Sequence, residues 1–596
     1  MTRSIDELRR RQREAGATEE LRQAYDFDPR DPLFGLTRAE MSGPRLSRRA
    51  TLRLMAAAGT LTAWHLLPRI GTRRAAAQAG GELSAGWAGI GEIRTLDPAQ
   101  INQVLQFQIS SNVLSGLTHI NTDLVAEADL AEDWSVSDDG KEFTFKLREG
   151  VTFHNGDPFT AADVVFTYQR SKDPQKSIHS AVISNVLDVV AVDDHTVKLV
   201  LGAPQASLLT KTLERSSGRA MTIVSKGALE ELGEAQYGLT PVGTGPFHVT
   251  AHQMGQSVVL EKFGDYYDPE RPKLDKVTIQ PIIDAEPLAA AIEAGDIQLI
   301  GGTPIAPEIV DRFLANPDLV VDIVPGPTFQ SVWMNPWREP FAVADFNKPV
   351  DELMQEKGFK VRLAIAKALD RERYIEQAQF GRGTPAYGTI NPAMGFFFDP
   401  GLAETSNQRF DLEEARRLLA EAGHPDGEGI PPLKIIHTPD QRREVQVIAN
   451  ILKTNLGIEL ELDTKDFPVL IDAFDKMDWD MVRLGSGGDY DPDDGLVDWM
   501  QTSSKFNGRT RDKDKYPFGF FSDARVDELI DQQRLETDPE QRKALVQEAN
   551  TITSDKVASA FVFHQMDILV HTKAVNYPPE SRIPGLVDLD RTTIST

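Results

Sequence analysis

Leu130-Ala131-Glu132-Asp133-Trp134, Asp138-Asp139-Gly140-Lys141, Phe143-Thr144-Phe145-Lys146-Leu147-Arg148, Gly150-Val151-Thr152-Phe153-His154-Asn155-Gly156 and Thr160-Ala161-Ala162-Asp163-Val164-Val165 follow one another in the most informative run of this chain. Phe143 to Leu147 alternates with period two, the pattern of a half-buried strand. Asp138-Asp139-Gly140 and His154-Asn155-Gly156-Asp157 have the residue types of hairpin turns.

Outward from this run the two periodicities keep alternating. Thr196 to Leu201 again alternates as a strand, whereas Leu288 to Ile292 and Val361 to Leu369 carry helical spacing. Asp411 caps a helix that runs through Leu419 and stops at Gly423. No fixed-period repeat is evident. The pattern is that of a mixed α/β protein with several strands per lobe. Pro325-Gly326-Pro327 is a crossover between lobes. The acidic, glycine-rich segment 485–495 is a loop, and loops on a rigid scaffold concentrate binding groups.

At 596 residues the chain exceeds one core, so two or more lobes are expected. Acidic residues outnumber basic ones 90 to 64, a formal charge of −26. A nucleic-acid partner would need a basic patch, so none is expected. The absence of cysteine excludes disulfides, thiolate metal sites, cysteine nucleophiles and a lipidated cysteine.

Ser47-Arg48-Arg49-Ala50-Thr51-Leu52-Arg53 places an arginine pair before the apolar stretch Leu54 to Leu67, which is too short to span a bilayer comfortably. Ala77-Gln78-Ala79 supplies small residues before Gly80. This resembles a twin-arginine export signal, cleaved after Ala79. A short membrane anchor is the alternative. Residues 1–79 hold 15 arginines and no lysine against 9 acidic residues, so the targeting segment is more basic than its passenger. About forty residues precede the arginine pair as a polar extension.

Catalytic patterns are missing: no Gly-x-Ser-x-Gly elbow, no phosphate loop of the Walker type, no His-Glu-x-x-His. Gly243-Thr244-Gly245-Pro246 lacks a third glycine and is a tight turn. His248 and His252 share a strand face without a third ligand nearby, which favours an exposed face over a zinc pair. Asp489, Asp491, Asp493 and Asp494 admit three readings: a solvated acidic turn, a calcium loop lacking its closing glutamate, or an anchor for a ligand ammonium.

The opening run resembles the signature block of the oligopeptide- and dipeptide-type extracellular solute-binding family. The resemblance extends through Val242-Gly243-Thr244-Gly245-Pro246-Phe247 with Asp265-Tyr266-Tyr267. Val361-Arg362-Leu363-Ala364-Ile365-Ala366 with Leu369-Asp370-Arg371, and Glu414 through Gly423, continue it. It covers roughly residues 82–575, in the family's order. It implies an α/β, two-lobe periplasmic-binding-protein fold of class II, of the large peptide-binding type with an extra subdomain, and a ligand cleft between the lobes. It also implies the periplasmic component of an ABC importer, which captures a peptide or similar amine-bearing solute for permease subunits driven by cytoplasmic ATPases.

Residue roles follow only where motifs match. The segment from Asp480 to Tyr490 is similar to the family's loop ending in Ala-Asp-Tyr, so Asp489 inherits the hold on a ligand's terminal amine, with Arg483 and Gly485 as lining positions. Ser486 replaces a frequent aromatic and Gly488 an alanine, which implies a roomier pocket. Leu96-Asp97-Pro98-Ala99 matches the opening motif, which puts Asn102 and Val104 against ligand backbone. Trp333 and Asn335 lie on the returning strand near the cleft, with core placement equally open for Trp333. Arg442 or Arg443 could meet a ligand carboxylate, but the surface is the better placement.

The expected organisation is residues 1–79 as extension and signal peptide, 80–325 as the first lobe with its subdomain, 326–555 as the second lobe, and 556–596 returning to the first. The expected protein is a periplasmic monomer with no cofactor, catalytic residue or metal, exported by the twin-arginine machinery. The rival reading is a secreted cofactor-loaded hydrolase or metalloenzyme. Ligand identity stays open among peptide, opine, glutathione, sugar, nickel and haem.

Overall fold

The computed structural model describes residues 80–595, apart from 102, 216–220, 303–304, 488–489, 505, 508–509 and 511. The arginine pair, the apolar stretch and the expected cleavage site therefore lie outside the described residues.

Among the described residues, twelve strands form one sheet that spans both halves of the molecule. One half runs Leu460–Thr464, Leu433–His437, Met481–Gly485, Gln330–Met334; the other runs Leu299–Gly301, Glu82–Ala88, Lys276–Ile282, Ser257–Lys262, Phe247–Gln253. The thirteen-residue strand Ala560–Thr572 joins them. It pairs at one end with Gln330–Met334, Gln330 facing Phe563, and at the other with Leu299–Gly301, Leu299 facing His571. Leu319–Pro325 lies antiparallel along the same strand, from Leu319 opposite Thr572 to Pro325 opposite Met566.

The chain thus crosses between halves twice, along two strands that touch. The Gly326 N–H donates to the Gln565 carbonyl at 2.9 Å, and a Cβ at Gly326 would sit 2.6 Å from that oxygen. Only glycine permits so close a backbone approach. The expected crossover at Pro325-Gly326-Pro327 is the place where this occurs.

Each half has its own core. The largest joins Phe329, Trp333, Phe359, Ile435, Trp479, Trp499 and Phe561. A second joins Leu83, Trp87, Phe247, Leu260, Ile279 and Leu589, and so brings the C-terminal segment onto the N-terminal half. Burial on this scale is the main stabilising term of the fold.

The quoted run builds a separate four-stranded antiparallel sheet, ordered Ala131–Val136, Glu142–Leu147, Thr196–Leu201, Val186–Asp193. Phe143, Phe145 and Leu147 point inward, while Lys146 is exposed. Both turns close as expected: Gly140 donates to Ser137 O at 2.9 Å and Gly156 to Phe153 O at 2.8 Å. Helix Ala161–Lys172 covers the sheet, started by a reciprocal capping box between Thr160 and Asp163.

His154 ties this subdomain to the Gly243-Thr244-Gly245-Pro246 turn. Its Nδ1 accepts from the Gly243 N–H at 3.1 Å and its Nε2 faces Gly245 O at 3.0 Å. Burial holds the ring neutral, with its pKa lowered to about 3. The exposed-face reading of the histidine strand needs correction. His248 and His252 are half-buried, and both His252 nitrogens meet carbonyls, of Leu239 at 2.8 Å and Ile93 at 2.7 Å.

Candidate ligand site between the lobes

The strand Met481–Gly485 ends at the seam between the halves, and the loop after it carries the acidic run. Gly485 is dictated by packing: a Cβ there would approach Phe329 O to 2.3 Å and Gln330 Oε1 to 2.1 Å. Arg483 is 1% exposed. It donates to Gln330 Oε1 at 2.6 Å and forms a tight ion pair with Glu444. Burial depresses its charged form, but the Glu444 carboxylate more than restores it, so its pKa is raised. Its charge is therefore committed inside the second lobe. Glu444 and Gln330 hold Arg483 in place, and sequence reasoning missed them, since nothing in their local pattern marks them.

Trp333 and Asn335 are core residues rather than parts of a cleft wall. Trp333 is fully buried, stacks on Trp499 with ring centres 5.3 Å apart, and donates its Nε1–H to Leu484 O at 3.0 Å. Asn335, also fully buried, donates to Trp479 O at 2.9 Å and ties down that loop. Arg443 is half-buried and pairs with Glu308 at 3.3 Å.

In the first half, the Leu96-Asp97-Pro98-Ala99 motif is pinned by a buried bidentate pair. Arg170 Nη1 and Nη2 donate to Asp97 at 2.8 and 2.5 Å, and Asp97 also accepts from the Ala99 N–H at 3.0 Å. Such paired geometry is both strong and orientation-specific. Val104 opens helix Val104–Ser110 and is half-buried. Asn102 and Asp489 lie outside the described residues.

The acidic run is not a solvated turn. Asp491 and Asp493 are 2% and 3% exposed. Arg542 Nη2 donates to Asp491 at 2.5 Å. Burial pushes the Asp491 carboxyl up, but the Arg542 guanidinium and its hydrogen bonds overcome that and hold it below its ordinary value. Asp493 accepts from Ser207 Oγ at 2.7 Å and from Gln533. Asp494 pairs with Lys211 Nζ at 2.7 Å, yet burial keeps its carboxyl raised. Asp491 and Asp494 also make a reciprocal capping box around the short helix Pro492–Gly495. Charges with these protein partners do not assemble a calcium loop, and no cluster of three or more potential metal ligands occurs among the described residues. Beside these contacts lies a polar cavity of roughly 260 Å³, lined by His179, Gln205, Lys211, Asp494, Asp498 and Arg534.

Comparison with known proteins agrees with this architecture. Residues 126–508 match the family described as bacterial extracellular solute-binding proteins, family 5 Middle. The glutathione-binding protein GsiB of Escherichia coli (strain K12) is 27% identical over 462 residues, which cover 77% of this chain and 84% of GsiB. The periplasmic binding protein MoaA of A. tumefacien R10, solved with mannopinic acid, superposes with a TM-score of 0.67 at 25% identity, covering 87% of this chain and all of MoaA. DppA of Helicobacter pylori, solved with the peptide STSA, gives a TM-score of 0.68 at 22% identity, covering 87% and 99% of the two chains, and shares the fold.

A sheet shared by two halves, each with its own core, and a polar seam between them give a two-lobe architecture. The chain belongs to the bacterial extracellular solute-binding proteins, family 5. It is the solute-capturing component of an ABC-type importer, and its relatives are binding proteins, not enzymes.

Proposed function

We propose that this protein captures a short peptide or a similarly small amine-bearing solute in the periplasm and releases it to its permease, with Asp489 holding the ammonium group. The observation that carries this reading is the position, at the lobe seam, of the strand Met481–Gly485, fixed by Arg483 and Gly485, and of Asp491, Asp493 and Asp494. A carboxylate in a closed, dry site binds an amine strongly and disfavours ligands lacking one. The relative named for glutathione supports a small peptide-like solute. Asn102 and Val104 would meet the ligand from the first lobe.

The test is direct. The exported protein is purified, its co-purified small molecules are identified by mass spectrometry, and these are returned to the stripped protein. At a hundredfold excess over Kd the ligand adds about 2.7 kcal/mol of stability. Steady product formation from that ligand would instead make the protein an enzyme.

Export belongs to the same reading: the protein leaves folded by the twin-arginine route, is cleaved after Ala79 and acts as a monomer. Replacing Arg48 and Arg49 with lysine keeps the charge but removes the guanidinium geometry. The expected result is precursor retained in the cytoplasm, scored by fractionation and immunoblot; mature protein in the periplasm at wild-type level overturns the assignment.

A further inference from the structure

Asp491, Asp493 and Asp494 divide their oxygens between the two halves of the molecule. Asp493 Oδ1 accepts from Gln533 of its own lobe, while Oδ2 accepts from Ser207 Oγ at 2.7 Å. Asp494 Oδ2 accepts from the N–H groups of Tyr490 and Asp491 at 3.0 and 3.1 Å, while Oδ1 meets Lys211 Nζ at 2.7 Å. Asp491 Oδ1 takes Arg542 Nη2 and its own cap, while Oδ2 accepts from Thr210 Oγ1 at 3.0 Å and shares Arg542 Nη1. The Ala206 N–H adds a backbone bond to Arg534 O at 2.8 Å.

The two sides belong to different cores. Leu208, which opens the turn at 208–212, and Leu213, which follows it, are packed into the subdomain core. Tyr490 and Leu496, which flank the acidic run, are packed into the second-lobe core. The covalent and sheet connections between the halves run elsewhere, through Gly326 and the shared strand.

We propose that residues 206–211 and 491–494 form a closure latch, a set of contacts made only when the lobes meet, which sets how much of the ligand-free protein is already closed. The second-lobe partners hold each carboxylate in place whether or not the first lobe is present, so the latch is preorganised on one side. Apparent affinity scales with the population of the binding-competent state, so such a latch tunes ligand affinity through that population. The inference rests on the two-lobe reading of closure around a solute, but not on which solute is bound.

The test therefore contains no solute. The chain has no cysteine, so Val192→Cys in the subdomain and Val469→Cys in the second lobe, 60% and 54% exposed, provide the two thiols for spin labels. Pulsed electron–electron resonance then gives the interlobe distance distribution of full-length mature protein. Lys211→Met is expected to lower the closed-to-open ratio roughly tenfold or more, and Ser207→Ala to lower it by a smaller factor. Circular dichroism and thermal midpoints check that both variants fold. A folded Lys211→Met variant with the wild-type distribution overturns the latch, as does a wild-type distribution with no closed population. A failure of the amine-bearing ligand assignment leaves both results untouched.

Discussion

Asp489→Asn lowers solute affinity by about thirtyfold to several-thousandfold, the range for losing one partner of a buried charge pair, about 2–5 kcal/mol. The substitution removes the charge and nearly keeps the shape, so the loss reports the ammonium contact rather than packing. Titration calorimetry with the co-purified ligand measures it. The choice of comparison variant matters. From sequence, Asp493 is the natural neutral neighbour, but it is 3% exposed and bonded to Ser207 and Gln533, so Asp493→Asn disturbs the seam. Asp478 is the proper comparison. Its side chain is 69% exposed in a loose pair with Arg338 at 3.2 Å, and Asp478→Asn changes affinity by no more than about 0.5 kcal/mol. Equal small losses at both positions would remove Asp489 from the site.

Arg542→Met destabilises the protein by about 3–5 kcal/mol, because it leaves Asp491 as a buried anion stripped of its main partner. Arg542 is 7% exposed and contacts both oxygens of Asp491, at 2.5 and 3.1 Å, while its Nε donates to Gln533 at 3.1 Å. Urea unfolding of mature protein reads the loss. The mechanism has its own signature: adding Asp491→Asn to Arg542→Met restores part of the stability, since the stranded charge is then gone. A loss under about 1 kcal/mol, or a double variant weaker than the sum of the singles, would show that the pair is not what holds this region.

Much of the fold was legible because its cues are local. Thr196–Leu201 is a strand over the stretch that alternates. Asp411 accepts from the Glu414 N–H at 3.0 Å and starts the helix Leu412–Glu421, which ends just before Gly423 in a left-handed turn. Leu288 to Ile292 falls on helix Ala285–Ala294, and Val361 to Ala368 on helix Lys357–Ala368, with Leu369 as its extended C-cap. The site was less legible because its determinants are far apart in sequence. Three aspartates in a glycine-rich stretch look solvated, and nothing near them announces that Arg542 and Lys211 will bury them. Trp333 was ambiguous for the same reason: only the arrival of Trp499 and Phe520, whose ring lies 4.0 Å away, makes it core. Motif resemblance located the loop, but it could not say which of the loop's neighbours were already spoken for.

The strand Ala560–Thr572 is the common spine of both half-sheets, and it follows the strands it joins by more than two hundred residues. During synthesis, therefore, neither half can complete its hydrogen-bonded ladder until residues 560–572 have emerged. Leu299–Gly301 and Gln330–Met334 must wait as unpaired edges for a partner more than two hundred residues downstream. Exposed edges of that kind invite association with other chains. A ribosome that stops short of residue 560 leaves two unfinished sheets rather than one finished lobe, so the two halves ripen together or not at all.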